Sequence, residues 1–341
     1  MRLLFFILLL LLGPALAETP RLRIVQWSDI HDGDRHFLPE AWAEARREGL
    51  AQKPDLILLT GDQGDNSYDK PGFAARLKAF MATLGPEIKP LLITLGNDDV
   101  EDNYQSDSRH LAETTAIFRA TLGDRYYLDD LGNGVFPGRP GGLKWISLNS
   151  VIFSAHNRCP EEAEQARKTF AWLEQELKGG EPVVLLCHIP PTWDAWTGKP
   201  AWKPEYLARL QQILLADPNP VTIVAGHYHR NHIQGFQRPQ GNVPVLVAGS
   251  LSNKFGYAPN WRTYDWGPAG IDYEVRYPGH PEWTTGWHVE PDELGDFLER
   301  IKADPEAYLK YLTDVHCHHA DLPKMAPEFR ERILDEFWVH P

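Results

Sequence analysis

Cysteine, methionine and positive charge are all scarce in this chain. It has 3 Cys, 3 Met and 34 Lys or Arg against 47 Asp or Glu, for a formal net charge of −13. Each shortage closes off a class of function. Three cysteines, Cys159, Cys187 and Cys317, are too few and too scattered for a disulfide framework, and none has the paired spacing of a structural zinc site. Cys187 ends an apolar run and reads as a buried thiol, which leaves Cys159 and Cys317 as a pair that an oxidising compartment could join. The surplus of acid argues against a general nucleic-acid surface, which needs many Lys and Arg on phosphates. It does not exclude a phosphate substrate, because bound divalent cations invert the local field. Long hydrophobic runs are missing after residue 12, so no later segment reads as a membrane span.

The exception at the start is informative. Arg2 precedes the apolar run 3–12, Gly13-Pro14 breaks it, and Ala15-Leu16-Ala17 has the small-x-small form that signal peptidase cuts. Residues 1–17 are therefore expected to be a secretory leader, with Glu18 near the mature start and the protein exported, either to a periplasm or by full secretion. The run is short for a membrane anchor, and no Cys follows the cut to carry a lipid. What remains, at 43% hydrophobic and 24% charged residues overall, is the composition of a globular domain.

Apolar, β-branched segments alternate with helical ones. Strands are expected at 23–27, 55–60, 91–95, 143–148, 183–187, 221–225, 243–248 and 272–277, and helices at 39–49, 73–83, 161–177 and 204–215. From residue 291 the pattern turns helical, at 292–303, 305–312 and 327–337. This divides the chain into a leader at 1–17, a main domain at 18–290 and a C-terminal helical extension at 291–341.

Five of the expected strands end in residues that bind metals. The ends are Asp29-Ile30-His31, Gly61-Asp62, Gly96-Asn97, His188-Ile189-Pro190-Pro191 and Gly226-His227-Tyr228-His229. In α/β sheets the carboxyl ends of strands share one edge, so these loops can converge. Asp29 and His31, like His227 and His229, are two apart, which in extended chain points both side chains the same way. Gly61 and Gly96 allow a sharp turn that aims the next side chain inward. Two Asp, one Asn and four His are too many for one ion and suit two that share a carboxylate. Imidazole with carboxylate favours Mn, Fe, Zn or Co. Any one of these residues alone is more often a turn former or an ordinary His.

This order of motifs resembles the calcineurin-like metallophosphoesterase superfamily. The run Cys187-His188-Ile189-Pro190-Pro191, Ser147-Leu148-Asn149 and the segment 249–264 are similar to its acid-sphingomyelinase-like and endopolyphosphatase-like branch. The resemblance implies an α/β four-layer sandwich, two mixed β-sheets flanked by helices, and a dinuclear metal centre. One metal would take Asp29, His31 and His229, the other Asn97, His188 and His227, with Asp62 bridging. A hydroxide between the ions would attack the phosphorus of a small phosphodiester or phosphomonoester substrate.

The chain departs from that pattern twice. Many members carry a His directly after the Asn, where this chain has Asp98. The branch often has another four residues after the bridging Asp, where Asn66 stands here, after Asp65. Asp98, beside Asn97, is thus the candidate acid/base, a role that needs a raised pKa and that a neighbouring metal opposes. Two other readings follow. One is a metal-retaining, catalytically weak member acting as a binding protein. The other is a metal-binding protein built on His316-Cys317-His318-His319, although four successive residues cannot easily surround one ion. Trp193, Trp196 and Trp202 follow His188 and read either as an aromatic rim or as packing.

Overall fold

The computed structural model describes residues 21–65, 70–85, 88, 90–100, 107–194, 198–267, 270–315, 317–318 and 339. The expected leader at 1–17, Asn66, Trp196, His316, His319 and the expected helix at 327–337 lie outside the described residues. The strands in chain order are β1 (Leu22–Trp27), β2 (Leu56–Thr60), β3 (Leu91–Thr94), β4 (Gly134–Val135), β5 (Lys144–Ser147), β6 (Val183–Leu186) and β7 (Trp193–Asp194). They continue with β8 (Lys199–Pro200), β9 (Pro220–Ala225), β10 (His232–Phe236), β11 (Val243–Val247), β12 (Trp261–Gly267), β13 (Gly270–Arg276) and β14 (Thr285–Val289). The helices are α1 (Pro39–Ala51), α2 (Lys70–Leu84), α3 (Ser108–Leu122), α4 (Glu162–Leu177), α5 (Pro204–Ala216), α6 (Leu294–Ala303) and α7 (Pro305–Val315).

Two six-stranded mixed sheets result. One has the order β14-β13-β12-β1-β2-β3 and the other β10-β11-β9-β6-β5-β4. The strands that lead to the site run parallel: β1 beside β2, β2 beside β3, and β6 beside β9. The period-2 alternation of side chains sends each strand's residues to two different cores. Ile24, Leu56 and Leu58 of the first sheet meet Trp145, Val184, Leu186, Val224 and Leu246 of the second in one core between the sheets. The alternate residues, Val25, Trp27, Ile57 and Leu59, bury with Trp42, Ala45, Phe73 and Leu77 of α1 and α2. On the second sheet Val183, Leu185 and Ile223 bury with Phe170, Leu173, Leu207 and Leu210 of α4 and α5. This is the four-layer arrangement the resemblance implied. Strands covered on both faces read as unbroken apolar runs, which is why they were legible.

Helices α6 and α7 of the extension pack into the main fold: Leu294, Phe297 and Ile301 of α6 and Tyr311, Leu312 and Val315 of α7 bury in the inter-sheet core with Tyr273 and Val289. One expectation is not met. Cys159 and Cys317 do not pair; all three cysteines are free, buried thiols. Cys317 is deeply placed, its Sγ 3.5 Å from the Asp314 carbonyl, and burial pushes its thiol up to about 12. Trp202 packs rather than forming a rim, stacked 4.5 Å from Phe153 with its indole N–H donating to the Ile189 carbonyl. Among the described residues no helix is long and apolar enough to cross a membrane.

Candidate metal centre

Backbone hydrogen bonds draw the strand ends together before any side chain acts. Asp29 N donates to Gly61 O at 3.1 Å, His31 N to Asp62 O at 2.9 Å, and Gly226 N to His188 O at 3.0 Å. The loop after β11 closes over the first of these through Leu251 N to Ser28 O at 3.1 Å and Ser250 Oγ to Asp29 O at 2.7 Å.

The chain does not present these residues in extended form. Asp29, His31, Asp62, His227 and His229 all have positive φ, at 52°, 55°, 52°, 77° and 56°. Five of the nine described non-glycine residues in that region are thus expected ligands. The i, i+2 argument assumed extended chain, which these residues do not adopt. Each pair converges because the strand has ended and the chain coils left-handed, a costly conformation that concentrates at functional sites. Gly61 turns at φ +92° as expected. Gly96 does not: its φ is −101°, and glycine is required there because a Cβ would sit 2.1 Å from Asp62 Oδ1.

Asp29, His31, Asp62 and His229 place one ligand atom each within 4.8 Å of one another, and all four are buried. His31 Nε2 faces His229 Nε2 at 3.1 Å, and His229 Nε2 is 3.3 Å from Asp29 Oδ1. Ser28 Oγ and His227 N donate to Asp29 Oδ2 at 2.5 and 3.0 Å, which leaves Oδ1 turned inward without a hydrogen bond. A second group adjoins the first. His188 Nε2 lies 3.2 Å from Asp62 Oδ2 and 3.2 Å from Asn97 Oδ1, and the His227 ring stands edge-on to His188 at 5.1 Å. Asp62 Oδ2 is also 3.7 Å from His31 Nε2, so this carboxylate lies between the two groups. All seven expected ligands are therefore brought to one place, six buried and His227 half-buried.

The donor set fits divalent cations. Nitrogen lone pairs facing each other beside two buried carboxylates repel unless a proton or a metal lies among them. His188 Nδ1–H donates to the Thr60 carbonyl at 2.7 Å, which fixes the tautomer and frees Nε2 for a ligand. Charge follows the same geometry. Burial raises the Asp29 carboxyl, but His229, His188 and His31 outweigh it and hold it far below the ordinary range. Burial lowers His188, but Asp62 and Asp29 outweigh it and draw the imidazole up to about 10.

Asp98 is placed differently from an acid poised to give a proton. Its Oδ2 lies 3.0 Å from His31 Nδ1 and accepts from Lys254 Nζ at 2.9 Å, while Oδ1 accepts from Asn97 Nδ2 at 2.8 Å. Burial raises its pKa, but His31 and Lys254 outweigh that and hold it well below the ordinary range. Asp98 is a carboxylate held against His31, an expected ligand, by charge rather than by a hydrogen bond, and its backbone N–H donates to Asp62 Oδ1 at 2.7 Å. Asp99 ties two loops together, accepting from Gly64 N at 3.1 Å and Gly96 N at 2.9 Å. Lys254 was missed by sequence reasoning. It sits in a single 3₁₀ turn far along the chain, and only the fold brings it to Asp98.

Comparison with known proteins agrees with this placement. The sequence profile described as Calcineurin-like phosphoesterase matches residues 22–231, a span that contains all seven expected ligands. No curated protein sequence matches the chain. Among solved structures, a dimetal phosphatase from Danio rerio is 12% identical, covering 80% of this chain and 100% of its own, with a TM-score of 0.54. GAP50, the anchor in the inner membrane complex of Plasmodium, is 12% identical over 84% of this chain and 96% of its own, with a TM-score of 0.52. The purple acid phosphatase PPD1 from yellow lupin seeds is 11% identical over 79% of this chain and 53% of its own, with a TM-score of 0.53. At these identities the likeness is one of fold.

Proposed function

The chain belongs to the calcineurin-like phosphoesterase family, and from that premise we propose that it is an exported, metal-dependent phosphoester hydrolase holding two divalent cations. The observation that carries this is the convergence of Asp29, His31, Asp62 and His229 on one buried point, with His188 and Asn97 adjoining. Mn, Fe, Zn or Co match its imidazole and carboxylate donors. Bound there, the cations would supply Lewis acidity toward the phosphoryl oxygens. The protein's own contribution is positioning. Ser28 and the His227 backbone orient Asp29, the Thr60 carbonyl orients His188, and Asp98 orients His31. Asp62 lies between both groups with its other oxygen tied to Asp98 N.

Two finer parts of the proposal rest on sequence. Export is supported by Arg2, the apolar run and Ala15-Leu16-Ala17. Kinship with the acid-sphingomyelinase-like and endopolyphosphatase-like branch is supported by His188-Ile189-Pro190-Pro191 and the segment 249–264. A second reading is favoured by the ionised Asp98 standing where many members carry His: a metal-bound protein with weak catalysis that serves as a binding module.

Hydrolysis of p-nitrophenyl phosphate and bis-p-nitrophenyl phosphate with added Mn, Zn or Co separates the two. The proposal expects metal-dependent turnover that is lost in Asp62→Asn and His229→Ala. Folded, metal-loaded protein that cleaves neither reagent would favour the binding module.

A further inference from the structure

We propose that Lys254 and Phe255 form the substrate-recognition element of this centre, Lys254 taking a phosphoryl oxygen and Phe255 the apolar or planar organic group of the ester. The inference rests on the phosphoester reading above and goes on to its substrate class. The two residues share one 3₁₀ turn, Lys254–Gly256, in which Phe255 is held at φ +63°. Backbone in that region is costly for an aromatic residue and indicates a position fixed by its surroundings.

Lys254 is a cation at the mouth of the site. Its side chain is 25% exposed, so Nζ is reachable from solvent. Asp98 Oδ2 accepts one of its three N–H donors at 2.9 Å, and Asp34 Oδ2 lies farther off at 3.8 Å. At least one donor therefore remains for a ligand. The same Asp98 oxygen is 3.0 Å from His31 Nδ1, so a single carboxylate orients both a metal ligand and this ammonium. An anion held at the centre would meet positive charge on the side where many family members place a His and this chain has Asp98.

Phe255 stands beside it. It is 65% exposed, the most exposed large hydrophobic residue among those described, yet its ring lies 5.2 Å from the ligand His229, edge to face. An aromatic face held open to solvent next to a metal ligand suits an apolar or flat substituent on phosphorus. Inorganic polyphosphate would leave it unused.

The test is calorimetric titration of the Mn-loaded full chain with inorganic phosphate and with phenylphosphonate, which cannot be hydrolysed. The chains are wild type, Lys254→Met, Lys254→Arg and Phe255→Ala, with metal content measured beforehand. Losing a charge-assisted hydrogen bond should weaken both ligands by about tenfold or more in Lys254→Met at full metal content, and Lys254→Arg should recover most of it. Phe255→Ala should leave phosphate unchanged and weaken phenylphosphonate by about threefold to tenfold. Unchanged phosphate affinity in Lys254→Met overturns the role of the lysine. So does metal lost along with affinity, because Lys254 would then act through Asp98 on the centre. Equal effects of Phe255→Ala on both ligands overturn the organic-group contact. Lys254→Gln carries the same comparison if the Met chain misfolds. Lys254-dependent phosphate binding without turnover of any ester would sink the hydrolase reading alone. Turnover with Lys254-independent binding would sink this inference alone, and no phosphate binding at all would sink both.

Discussion

The molecule buries charge in two neighbouring places and treats it in opposite ways. At the metal centre, atoms able to bind a cation converge on one another: His31 Nε2 on His229 Nε2 at 3.1 Å, and Asp62 Oδ2 on His188 Nε2 at 3.2 Å. Behind it, on α7, one oxygen of a carboxylate is met by donors, although its other oxygen and both Nη atoms of Arg262 make no hydrogen bond among the described residues. Asp314 Oδ2 accepts from Thr285 Oγ1 and from Trp287 Nε1, both at 2.6 Å. Arg262 Nε donates to Asn231 Oδ1 at 2.9 Å, with its guanidinium 4.8 Å from the centre of the Tyr273 ring. Arg262 lies mid-strand in β12, whereas five metal-centre residues have positive φ. Burial of charge is thus a poor sign of function by itself. A convergence of imidazole and carboxylate atoms, on a backbone bent to aim them, is a better one.

The comparison breaks most sharply at Asp62. Asp62→Asn removes the carboxylate shared by both groups and should cost roughly 10³-fold or more in metal-dependent turnover while the melting temperature holds. Turnover that survives would mean the two groups do not act as one site. Asp98→Asn probes the supporting layer. Metal affinity, read by competition with a chelator, should fall about 10–100-fold. An unchanged affinity would mean that the contact with His31 positions nothing.

Asp314→Ala tests the other cluster. It strips a partner from Thr285 and Trp287 and should cost about 1–3 kcal/mol in denaturant unfolding, with metal content unchanged. Metal lost together with stability would show the clusters to be one unit. Acidity acts on the ligating side chains themselves. Burial lowers His31, but Asp98 and Asp62 outweigh it, and His188 is likewise drawn up, to about 10. His188 is therefore protonated at neutral pH in the metal-free protein, and a cation must displace that proton. Mn affinity should rise from pH 6 to pH 8 by about tenfold per unit for each proton released. A flat profile would indicate ligands already neutral.

The same contrast explains what could be read in advance. Strands β1, β2, β3, β5, β6, β9 and β11 lie between layers, so their apolar runs declare them, and the expected ligands follow the ends of β1, β2, β3, β6 and β9. Strand β12 was missed because it carries Arg262, Thr263 and Asp265 in a stretch that sequence reads as polar, although it pairs antiparallel with β1 along its length. Helix α3 was missed because its buried stripe of His110, Leu111, Thr114, Thr115, Phe118 and Leu122 is half polar. The two-residue strands β4, β7 and β8 are too short to leave a period. At the site, order along the chain identified residues that converge but not their supports. Lys254 meets Asp98 across 156 residues of sequence, and only closure of the loop after β11 brings them together.

The most direct test of the central claim is a metal count. Protein exchanged into Mn, Zn or Co and then desalted should hold two ions per chain, with binding lost or halved in Asp62→Asn. A wild-type chain that retains no ion after loading, or an Asp62→Asn chain that retains as many as wild type, would contradict the dinuclear centre.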